Sequence, residues 1–406
     1  MMLLKIAWRN IWRSPVRSGV VMAAIALGVW AVIFLMGFSI GMANSYVDSA
    51  IRLEVAHLQV HHPEYLTDRD VHFVLTRADS LAELVAAEPG VTAVSVRTLV
   101  DGMLSSARGS RGLRVRGVDP AEEAALSQLD RKLVEGAYLP EGQRNALYLG
   151  RKLADRLGVR LRSRVVFTFQ DLEGNITSAA FRVAGLFDVE NNGFEEGTAL
   201  ARREDLNRVL GRPGAAHEIA VMLEDAALAD TVATRLRNRL PGLDVQTYMQ
   251  LSPEIRLFES QISASVYIIM AIVMLGLVFG IVNTMLMAVL ERVRELGMLM
   301  AIGMNRPRVF GMIVLETLLL GLVGAPLGMA LGAGMIRWYG RHGLDLSAYA
   351  GEGLSEFGMS AVIFPDVYPG MYVELAAAVL VTAVLGSLYP AWKAVRLRPV
   401  EALRKL

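Results

Sequence analysis

Cysteine is absent from this chain of 406 residues, and charged residues are scarce. Without cysteine the chain can form no disulfide, no thiolate nucleophile and no cysteine-based zinc site. Only 20% of the residues are charged, whereas 53% are hydrophobic. A soluble chain of this length would carry more charge on its surface, so the composition indicates a membrane protein.

Familiar catalytic motifs are also missing. The sequence has no G-x-x-x-x-G-K-[ST], no G-x-S-x-G and no H-E-x-x-H. In GRKLADRLG (150–158), Lys152 follows Gly150 too soon for a phosphate loop, and the pattern predicts a strand and an amphipathic helix. His57 and His61 share a predicted strand face without a paired carboxylate, which favours surface histidines over metal ligands. We therefore predict no catalytic, cofactor or metal site in this chain, and no enzyme.

Four stretches are apolar and long enough to cross a membrane, which takes about 20 helical residues for a ~30 Å core. The predicted spans are residues 18–45, 261–290, 308–336 and 371–392. The first is too long for a cleaved signal peptide and follows several arginines, so we interpret it as an uncleaved anchor. The sequence thus predicts a membrane protein with four transmembrane helices.

Charge predicts the orientation of these helices. Basic residues outnumber acidic ones near both termini and in residues 291–308, whereas the loop 337–374 holds two arginines against five acids. Lys and Arg in short loops mark the cytoplasmic side. We therefore expect both termini, including the tail 393–406, and residues 291–307 inside the cell. Residues 46–260 and the loop 337–370 are expected outside.

Residues 46–260, between the first and second spans, are predicted to form a large extracytoplasmic α+β domain. Residues 79–100 follow the order helix, Pro-Gly stop and strand, with Asp79 as the expected N-cap and Leu81, Leu84 and Val85 on one face. Residues 217–248 repeat this order after a strand. Together with a first strand at 55–62, the repeats predict a split ferredoxin-like module. Its halves are 46–100 and 215–258, around a mainly β insertion at 101–214 with a hairpin turning at Glu173-Gly174-Asn175.

The first two spans are longer than a membrane requires. As a helix, residues 260–290 would extend about 46 Å at 1.5 Å per residue, against a ~30 Å core. We predict that both spans continue as stalks beneath the outer domain, with helix tilt as the alternative.

A short charged segment follows the second span, in NTMLMAVLERVRELGMLMAIGMNRPRVF (283–310). Glu291 with Arg294 and Arg292 with Glu295 have the i,i+3 spacing that supports a helix in water. Leu296, Leu299, Met300 and Ile302 give this helix an apolar side, and Gly303 and Pro307 are expected to end it. The pattern indicates either a docking helix under the membrane or a solvated loop with snorkelling arginines.

These residues resemble a known family. Residues 283–332 resemble the signature of the FtsX-like permeases of ABC transporters, the MacB-type superfamily: N-x-M, E-R-x-R-E-x-G, A-x-G, a Glu-bearing span and spaced glycines. YPAWKAVRLRPVEALRKL (389–406) resembles the closing motif of that family. LRVRGVDP (113–120), EGAYL (135–139) and FRVAGLF (181–187) are similar to stretches of the lipoprotein-releasing permeases (LolC/LolE type). The chain lacks the ATPase domain that is fused to the macrolide exporters, and its outer domain is larger than that of the cell-division members.

The resemblance implies a permease of the bacterial inner membrane with a separate ABC ATPase subunit, in two copies that hold ATP and Mg. It also implies a second permease (itself or a paralogue) and extraction of lipoproteins toward a periplasmic chaperone, with no nucleic acid. The cytoplasmic segment would be the coupling helix that docks in a cleft of the ATPase. Its residues are Glu291, Arg292, Arg294, Glu295, Leu296, Gly297, Leu299, Ala301, Ile302 and Gly303. Two alternatives stay open: efflux of antibiotics or peptides with a periplasmic adaptor, and ATP-driven regulation of an extracytoplasmic enzyme.

Two features of the third span have structural interpretations. Glu316 is expected to face the helix bundle near the inner surface, as a fixed hydrogen-bonding group rather than a proton relay. Gly324, Gly328 and Gly332 recur on one face, which predicts either close helix packing or a sliding dimer face.

Residues 1–17 are predicted to form a cytoplasmic amphipathic helix that anchors the chain to membrane lipids at the interface. Lys5, Arg9 and Arg13 follow one stripe. Leu4, Trp8, Ile11 and Trp12 are expected on the other side. A plain topology signal is the alternative.

Overall fold

The computed structural model describes residues 2–396. They form two compact units. The helical unit comprises residues 2–43, 259–344 and 362–396, and the α/β unit comprises residues 44–258 and 345–361. The last part of the closing motif and of the predicted tail, residues 397–406, lies outside the described residues.

Among residues 2–396, the α-helices comprise four long apolar helices and eleven shorter ones. In chain order they are α1 (Met2–Arg13), α2 (Pro15–Ala50), α3 (Tyr65–Asp68), α4 (Ala78–Ala86), α5 (Pro120–Ser127), α6 (Arg151–Leu157), α7 (Asn192–Gly197), α8 (Arg203–Leu210), α9 (Ala229–Arg239), α10 (Tyr248–Leu251), α11 (Pro253–Glu291), α12 (Val293–Ala301), α13 (Arg306–His342), α14 (Ser347–Glu356) and α15 (Pro369–Val395). A π-helix, Ile51–Val55, continues α2, and short 3₁₀ helices occupy Leu129–Lys132 and Ala226–Leu228.

The strands lie mainly in the α/β unit. They are β1 (Leu58–His61), β2 (Val91–Ser105), β3 (Ser110–Val118), β4 (Leu133–Gly136), β5 (Ala146–Gly150), β6 (Arg164–Gln170), β7 (Ile176–Phe187), β8 (Thr198–Arg202), β9 (Glu218–Leu223), β10 (Asp244–Thr247), β11 (Leu344–Asp345) and β12 (Val362–Ile363).

Within residues 2–396, four helices are long and apolar enough to cross a membrane: Pro15–Val55, Pro253–Glu291, Arg306–His342 and Pro369–Val395. Each contains one predicted span and is longer than predicted at both ends. The division between the two units falls inside α2, after Ala43, and inside α11, after Phe258. The helices predicted as stalks are therefore continuous where the chain passes from one unit to the other.

The N-terminal segment is two helices, not one. α1 ends at Arg13, and Pro15 begins α2, because proline fits the first helical turn, where its missing N–H leaves no hydrogen bond unmade. In α1 the side chain of Ile11 is 1% exposed and belongs to the core, whereas Trp8 and Trp12 are about half exposed. Ile11 therefore faces the core, whereas Trp8 and Trp12, which were predicted on the same side of α1, do not.

The glycine stripe of α13 packs against α2 within the same chain. A methyl group added at Gly328 would overlap the carbonyl oxygen of Ala26 and lie 2.8 Å from Cβ of Val29. Added at Gly332, it would lie 2.9 Å from Cβ of Ile33, and Gly324 is similarly close to Ile25. The prediction of close packing is confirmed. The dimer-face alternative was wrong, because α2 of the same chain already covers the stripe.

The α/β unit contains the predicted module. Its first four strands have the antiparallel order β10-β1-β9-β2, the order of a split ferredoxin-like sheet built from two β-α-β halves. The sheet continues through β3, β8, β5, β7 and β4, and β6 pairs with β2 and β7.

The predicted boundary of the insertion was misplaced. β2 is 15 residues long and runs to Ser105, past the boundary at residue 101. Its first half pairs with β9 and its second half with β3 and β6. One long strand therefore belongs to both halves of the unit, and a sequence boundary there has no structural counterpart.

The hairpin and the strand–helix segment lie where predicted. β6 and β7 are joined by a turn in which Oδ1 of Asp171 accepts hydrogen bonds from the backbone N–H groups of Glu173 and Asn175. Gly174 has φ +80°, a conformation that glycine adopts without strain. β5 and α6 occupy GRKLADRLG and the residues before it.

Asp79 does not cap α4. The helix begins at Ala78 after Arg77, and Asp79 lies in the first turn, where it binds Arg203 at 2.7 Å. An acidic residue in a first turn stabilises the helix dipole without being the cap. The predicted apolar face also holds only in part, because Val85 is buried whereas Leu84 is 38% exposed.

His61 is buried, so its prediction as a surface histidine was wrong. Its Nδ1 lies 3.0 Å from the carbonyl oxygen of His217 and its Nε2 lies 2.9 Å from Oε1 of Gln59. Burial lowers the pKa of His61 and of His217. Among the described residues, no cluster of histidine and acidic side chains could hold a metal ion.

Candidate functional site

The segment between α11 and α13 forms a separate short helix. α11 ends at Glu291, Arg292 interrupts the helical backbone with φ −102°, and α12 follows. Gly303 has φ +107°, and the N–H of Met304 donates to the carbonyl oxygen of Leu299. This left-handed glycine ends α12 as helix C-termini commonly end.

The prediction that Pro307 helps to end α12 was wrong. It lies in the first turn of α13, whose N-cap is Asn305. The Asn305 side chain accepts a hydrogen bond of 3.2 Å from the N–H of Arg308. Proline is favoured at that position because its missing N–H leaves no hydrogen bond unmade.

The acidic residues of the segment pair with the N-terminal helices. Glu291 accepts from Arg17 at 2.7 Å, and Glu295 lies 2.9 Å from Arg13. The predicted i,i+3 pairs with Arg294 and Arg292 do not form. The helix break at Arg292 removes the regular spacing that such pairs need.

Arg292 points into the helical unit. Its Nη1 lies 3.2 Å from Oε1 of Glu316, and its Nη2 donates to the carbonyl oxygen of Asn10 at 3.2 Å. Glu316 is 6% exposed. A buried carboxylate is tolerated only when it is paired. The prediction that Glu316 faces the bundle is confirmed, and its role as a fixed hydrogen-bonding group stays a prediction.

The predicted coupling residues therefore divide between two faces of the segment. Leu296 and Gly297 are buried, and Leu299 is half-buried. The exposed members are Glu291, Arg294, Ala301, Ile302 and Gly303. Ile302 is 80% exposed. Arg292 and Glu295 are half-buried, so the exposed residues are the ones most available to contact a partner.

Met298 was missed by the sequence reasoning. It is 52% exposed and precedes Ile302 by four residues, so both side chains lie on one helix face. The four-residue spacing of Met298 and Ile302 could have indicated this face. The neighbouring residues are also apolar, however, so the spacing did not stand out.

α1 contacts this segment through the ion pair of Arg13 and Glu295. Lys5, Arg9 and Arg13 are exposed, and Trp8 and Trp12 make an edge-to-face contact at 6.0 Å between ring centroids. Ala7 and Ile11 are fully buried. Two exposed tryptophans beside a basic stripe fit a helix at a membrane surface, and this anchoring role stays a prediction.

The α/β unit has its own buried ion cluster. Nε and Nη2 of Arg97 donate to Glu123 at 2.9 and 2.8 Å, and Nη1 donates to Glu218 at 2.7 Å. Although burial opposes its charge, the two carboxylates raise the pKa of Arg97. All three side chains are closed off from solvent, so this cluster is structural.

Two family models match the chain. The FtsX-like permease C-terminal family matches residues 267–399, and the MacB-like periplasmic core domain family matches residues 18–239. The second match covers more than half of the 406 residues. The chain belongs to the FtsX/MacB superfamily of permeases.

Curated relatives of this FtsX/MacB-type permease include the lipoprotein-releasing system transmembrane protein LolC of Xylella fastidiosa, 26% identical over 71% of this chain and 72% of the relative. LolC of Neisseria meningitidis is 25% identical over 94% and 92%. The macrolide export ATP-binding/permease protein MacB of Escherichia coli is 21% identical over 81% of this chain and 51% of the relative. The solved periplasmic region of MacB from Actinobacillus actinomycetemcomitans has a TM-score of 0.37 and 14% identity over 51% of this chain and 95% of that one.

These matches confirm the resemblance seen in residues 283–332. The protein is an ABC transporter permease of the LolC/MacB type with four membrane helices and a MacB-like periplasmic domain of mixed α/β structure between the first and second helices. The segment from Glu291 to Gly303 falls within the FtsX-like match.

Proposed function

We propose that this chain is the permease subunit of an inner-membrane transporter that releases lipoproteins, driven by ATP hydrolysis in a separate ATPase subunit. Two relatives named for lipoprotein release support the substrate class, and one of them covers 94% of the chain. The observation that carries the mechanism is the attachment of the segment from Glu291 to Gly303 by ion pairs to α1, α2 and α13.

The exposed face of α12 is the proposed contact with the ATPase. Ile302 and Met298 supply apolar surface, and Arg294 supplies charge. A displacement of the segment from Glu291 to Gly303 would pass to α2 through Arg17, to α1 through Arg13 and to α13 through Glu316. The segment would therefore move together with the ends of the membrane helices.

α2 and α11 would carry the displacement across the membrane. They contain 36 and 39 residues, or about 54 and 58 Å at 1.5 Å per residue, against a ~30 Å core. Each has proline only as its first residue, so neither contains a built-in break. α13, in contrast, has Pro326 in its interior.

The remaining parts of the proposal come from the family. Two permeases and two ATPase copies would form the complex, with ATP and Mg held by the ATPase. Both termini would be cytoplasmic, the α/β unit periplasmic, and a periplasmic chaperone would receive the lipoprotein.

A second candidate function is efflux. It is favoured by the match of residues 18–239 to the MacB-like core domain and by the MacB relative that covers 81% of the chain. That relative is named for macrolide export, and this chain spans 51% of its length.

The experiment uses the permease–ATPase complex in proteoliposomes. Ser263 is an exposed residue of α11, and Ser263→Pro would break the helix without changing its register. We expect transfer of an acylated lipoprotein to a soluble acceptor to fall sharply while ATP hydrolysis continues. Ser263→Ala is the matched control and should transfer normally.

Undiminished transfer by Ser263→Pro would contradict transmission through α11. ATP-dependent uptake of a macrolide into inverted vesicles, without lipoprotein transfer by the wild-type complex, would replace the first candidate by the second.

A further inference from the structure

A cavity of about 440 Å³ lies within the helical unit, at the end where α12 is found. It is enclosed by α1, the last turns of α11, α12 and α13, and its apolar walls include Met285, Val289, Leu299 and Ile313. Its volume is in the range of cavities that bind small molecules, about 300–1,000 Å³.

The cavity carries one unbalanced charge. Three arginines and two glutamates line it. Arg13 pairs with Glu295, and Arg292 pairs with Glu316. Within residues 2–396, Arg9 has no carboxylate partner, and its side chain is exposed at the rim. An occupant that complements this lining is apolar along the walls and anionic at Arg9.

A further cation lies next to Arg9. Lys5 precedes it by one turn of α1 and is also exposed, so the two side chains lie on the same helix face. Arg9 lines the cavity, and Lys5 lies one turn before it on α1. Of the proposed ATPase contact, Met298 lines the cavity and Ile302 does not.

We propose that this cavity binds an anionic phospholipid. The head-group phosphate would pair with Arg9 and Lys5, and one acyl chain would lie along Met285, Val289 and Ile313. Basic pockets between membrane helices on the cytoplasmic side suit such head groups. The bound lipid would contact α1, α11, α12 and α13 and the ion pairs Arg13–Glu295 and Arg292–Glu316, so the lipid would stabilise the attached arrangement. Assignment to the inner leaflet follows from the orientation proposed above.

The test measures lipid binding by the full-length permease in detergent, by native mass spectrometry. Phosphatidylglycerol and phosphatidylcholine with identical acyl chains are the probes. We expect one phosphatidylglycerol per chain to bind more tightly than phosphatidylcholine. Arg9→Gln should weaken phosphatidylglycerol binding about fivefold, because one basic residue near an anionic lipid surface contributes about 1 kcal/mol, and leave phosphatidylcholine unchanged.

Two variants separate specific from general effects. Arg308→Gln is the matched control, since Arg308 is an exposed arginine of α13 that does not line the cavity, and it should bind as the wild type does. Ala288 is a buried wall residue, and Ala288→Phe should weaken binding of both lipids by filling the acyl space. If Ala288→Phe does not fold, the comparison of Arg9→Gln with Arg308→Gln still tests whether Arg9 binds the anionic lipid.

Equal binding of the two lipids by the wild type, or an unchanged preference in Arg9→Gln, would overturn the proposal. A photoreactive residue at position 289, which lines the cavity and lies outside the proposed ATPase contact, should capture lipid in the assembled complex. Capture of the ATPase instead would assign the cavity to protein docking. These measurements involve no transport, so their failure would leave the proposed function standing.

Discussion

Both units of the protein bury an arginine with acidic partners, but the two clusters differ in how completely they are closed. In the α/β unit, Arg97 makes three hydrogen bonds of 2.7–2.9 Å to two carboxylates that are at most 6% exposed. In the helical unit, Arg292 makes one contact of 3.2 Å to Glu316 and another to a backbone carbonyl. Both side chains of the second cluster line the cavity of the helical unit.

The difference indicates different mechanical roles. A fully bonded cluster holds its strands in one arrangement, because any displacement would leave a buried charge unpaired. A longer pair with fewer hydrogen bonds, beside a cavity at the end of the membrane helices, can change partners at lower cost. The helical unit therefore combines rigid helices with an adaptable end, and that end is where the ATPase is proposed to act.

The largest expected effect comes from opening the closed cluster. Arg97→Met would leave Glu123 and Glu218 buried without their cation, and we expect a loss of about 3–5 kcal/mol in the free energy of unfolding of the α/β unit. Hydrogen exchange of the β2 and β9 amides measures this loss directly.

Arg114→Met is the matched control for that prediction. Arg114 pairs with Asp101 at 2.7 Å, but the two side chains are 25% and 56% exposed. Such a pair contributes about 0–1 kcal/mol. Equal amide protection in the two variants would mean that the cluster around Arg97 does not stabilise the sheet.

The next effect concerns close packing in the helical unit. Gly328→Ala should destabilise it by about 1–3 kcal/mol, because the added methyl group overlaps the backbone of α2 at Ala26. Thermal unfolding can be followed by the fluorescence of Trp30 in α2 and Trp338 in α13.

A control for this change lies on the same helix. Gly334 has open space where a methyl group would be added, so Gly334→Ala should be neutral or slightly stabilising, since alanine is the better helix former. A lower melting temperature for Gly334→Ala than for Gly328→Ala would contradict the assigned helix contact.

These residues show what the sequence could and could not predict. The glycine spacing and the position of Glu316 are local properties of one helix, so close packing and a paired acid were predictable. The helix that packs on the glycines and the residue that pairs with Glu316 were not predictable, because α2 and Arg292 reach α13 only through tertiary packing. The burial of Arg97 was not predictable from the sequence. Residues 95–100 of β2 are buried on both faces, so the strand lacks the alternation that would mark an inward arginine.

The coupling segment was predicted as a helix with the correct acidic and basic residues but the wrong pairs. Its four charges at positions 291–295 fit i,i+3 pairing in a continuous helix. The break at Arg292 separates α11 from α12, and nothing in the local sequence distinguishes that break from a helical turn.

A third prediction concerns the pH dependence of the stability of the α/β unit. Burial lowers the pKa of both His61 and His217, with nearby Glu218 opposing the shift at each. These histidines stay neutral when folded and take up protons when unfolded, so the α/β unit should lose stability as the pH falls below about 6.5, the ordinary value for histidine. Hydrogen exchange of β1 and β9 at pH 7.5 and 5.5 measures the change.

His72 acts in the opposite direction. Hydrogen bonds to Asp70 and to the carbonyl of Leu172 raise its pKa, so its protonation stabilises the folded state at low pH. His72→Gln should therefore make the pH dependence steeper, and His217→Gln should make it shallower. A stability that rises as the pH falls would show that the buried histidines do not determine the response.

The smallest effect is expected at the exposed end of the helical unit. The side chains of Arg13 and Glu295 are 63% and 41% exposed, and such pairs contribute about 0.2–1 kcal/mol. A double-mutant cycle with Arg13→Gln and Glu295→Gln, measured by thermal unfolding, should give a coupling energy in that range. In about 0.5 M salt it should fall toward zero, because the Debye length then shrinks to a few ångströms.

The same cycle with Arg292→Gln and Glu316→Gln should keep most of its coupling energy in salt, since those side chains are 14% and 8% exposed. If the two cycles responded equally to salt, the ion pairs of α12 would form one exposed network, and Arg292 would lose its distinct role as the buried attachment to α13.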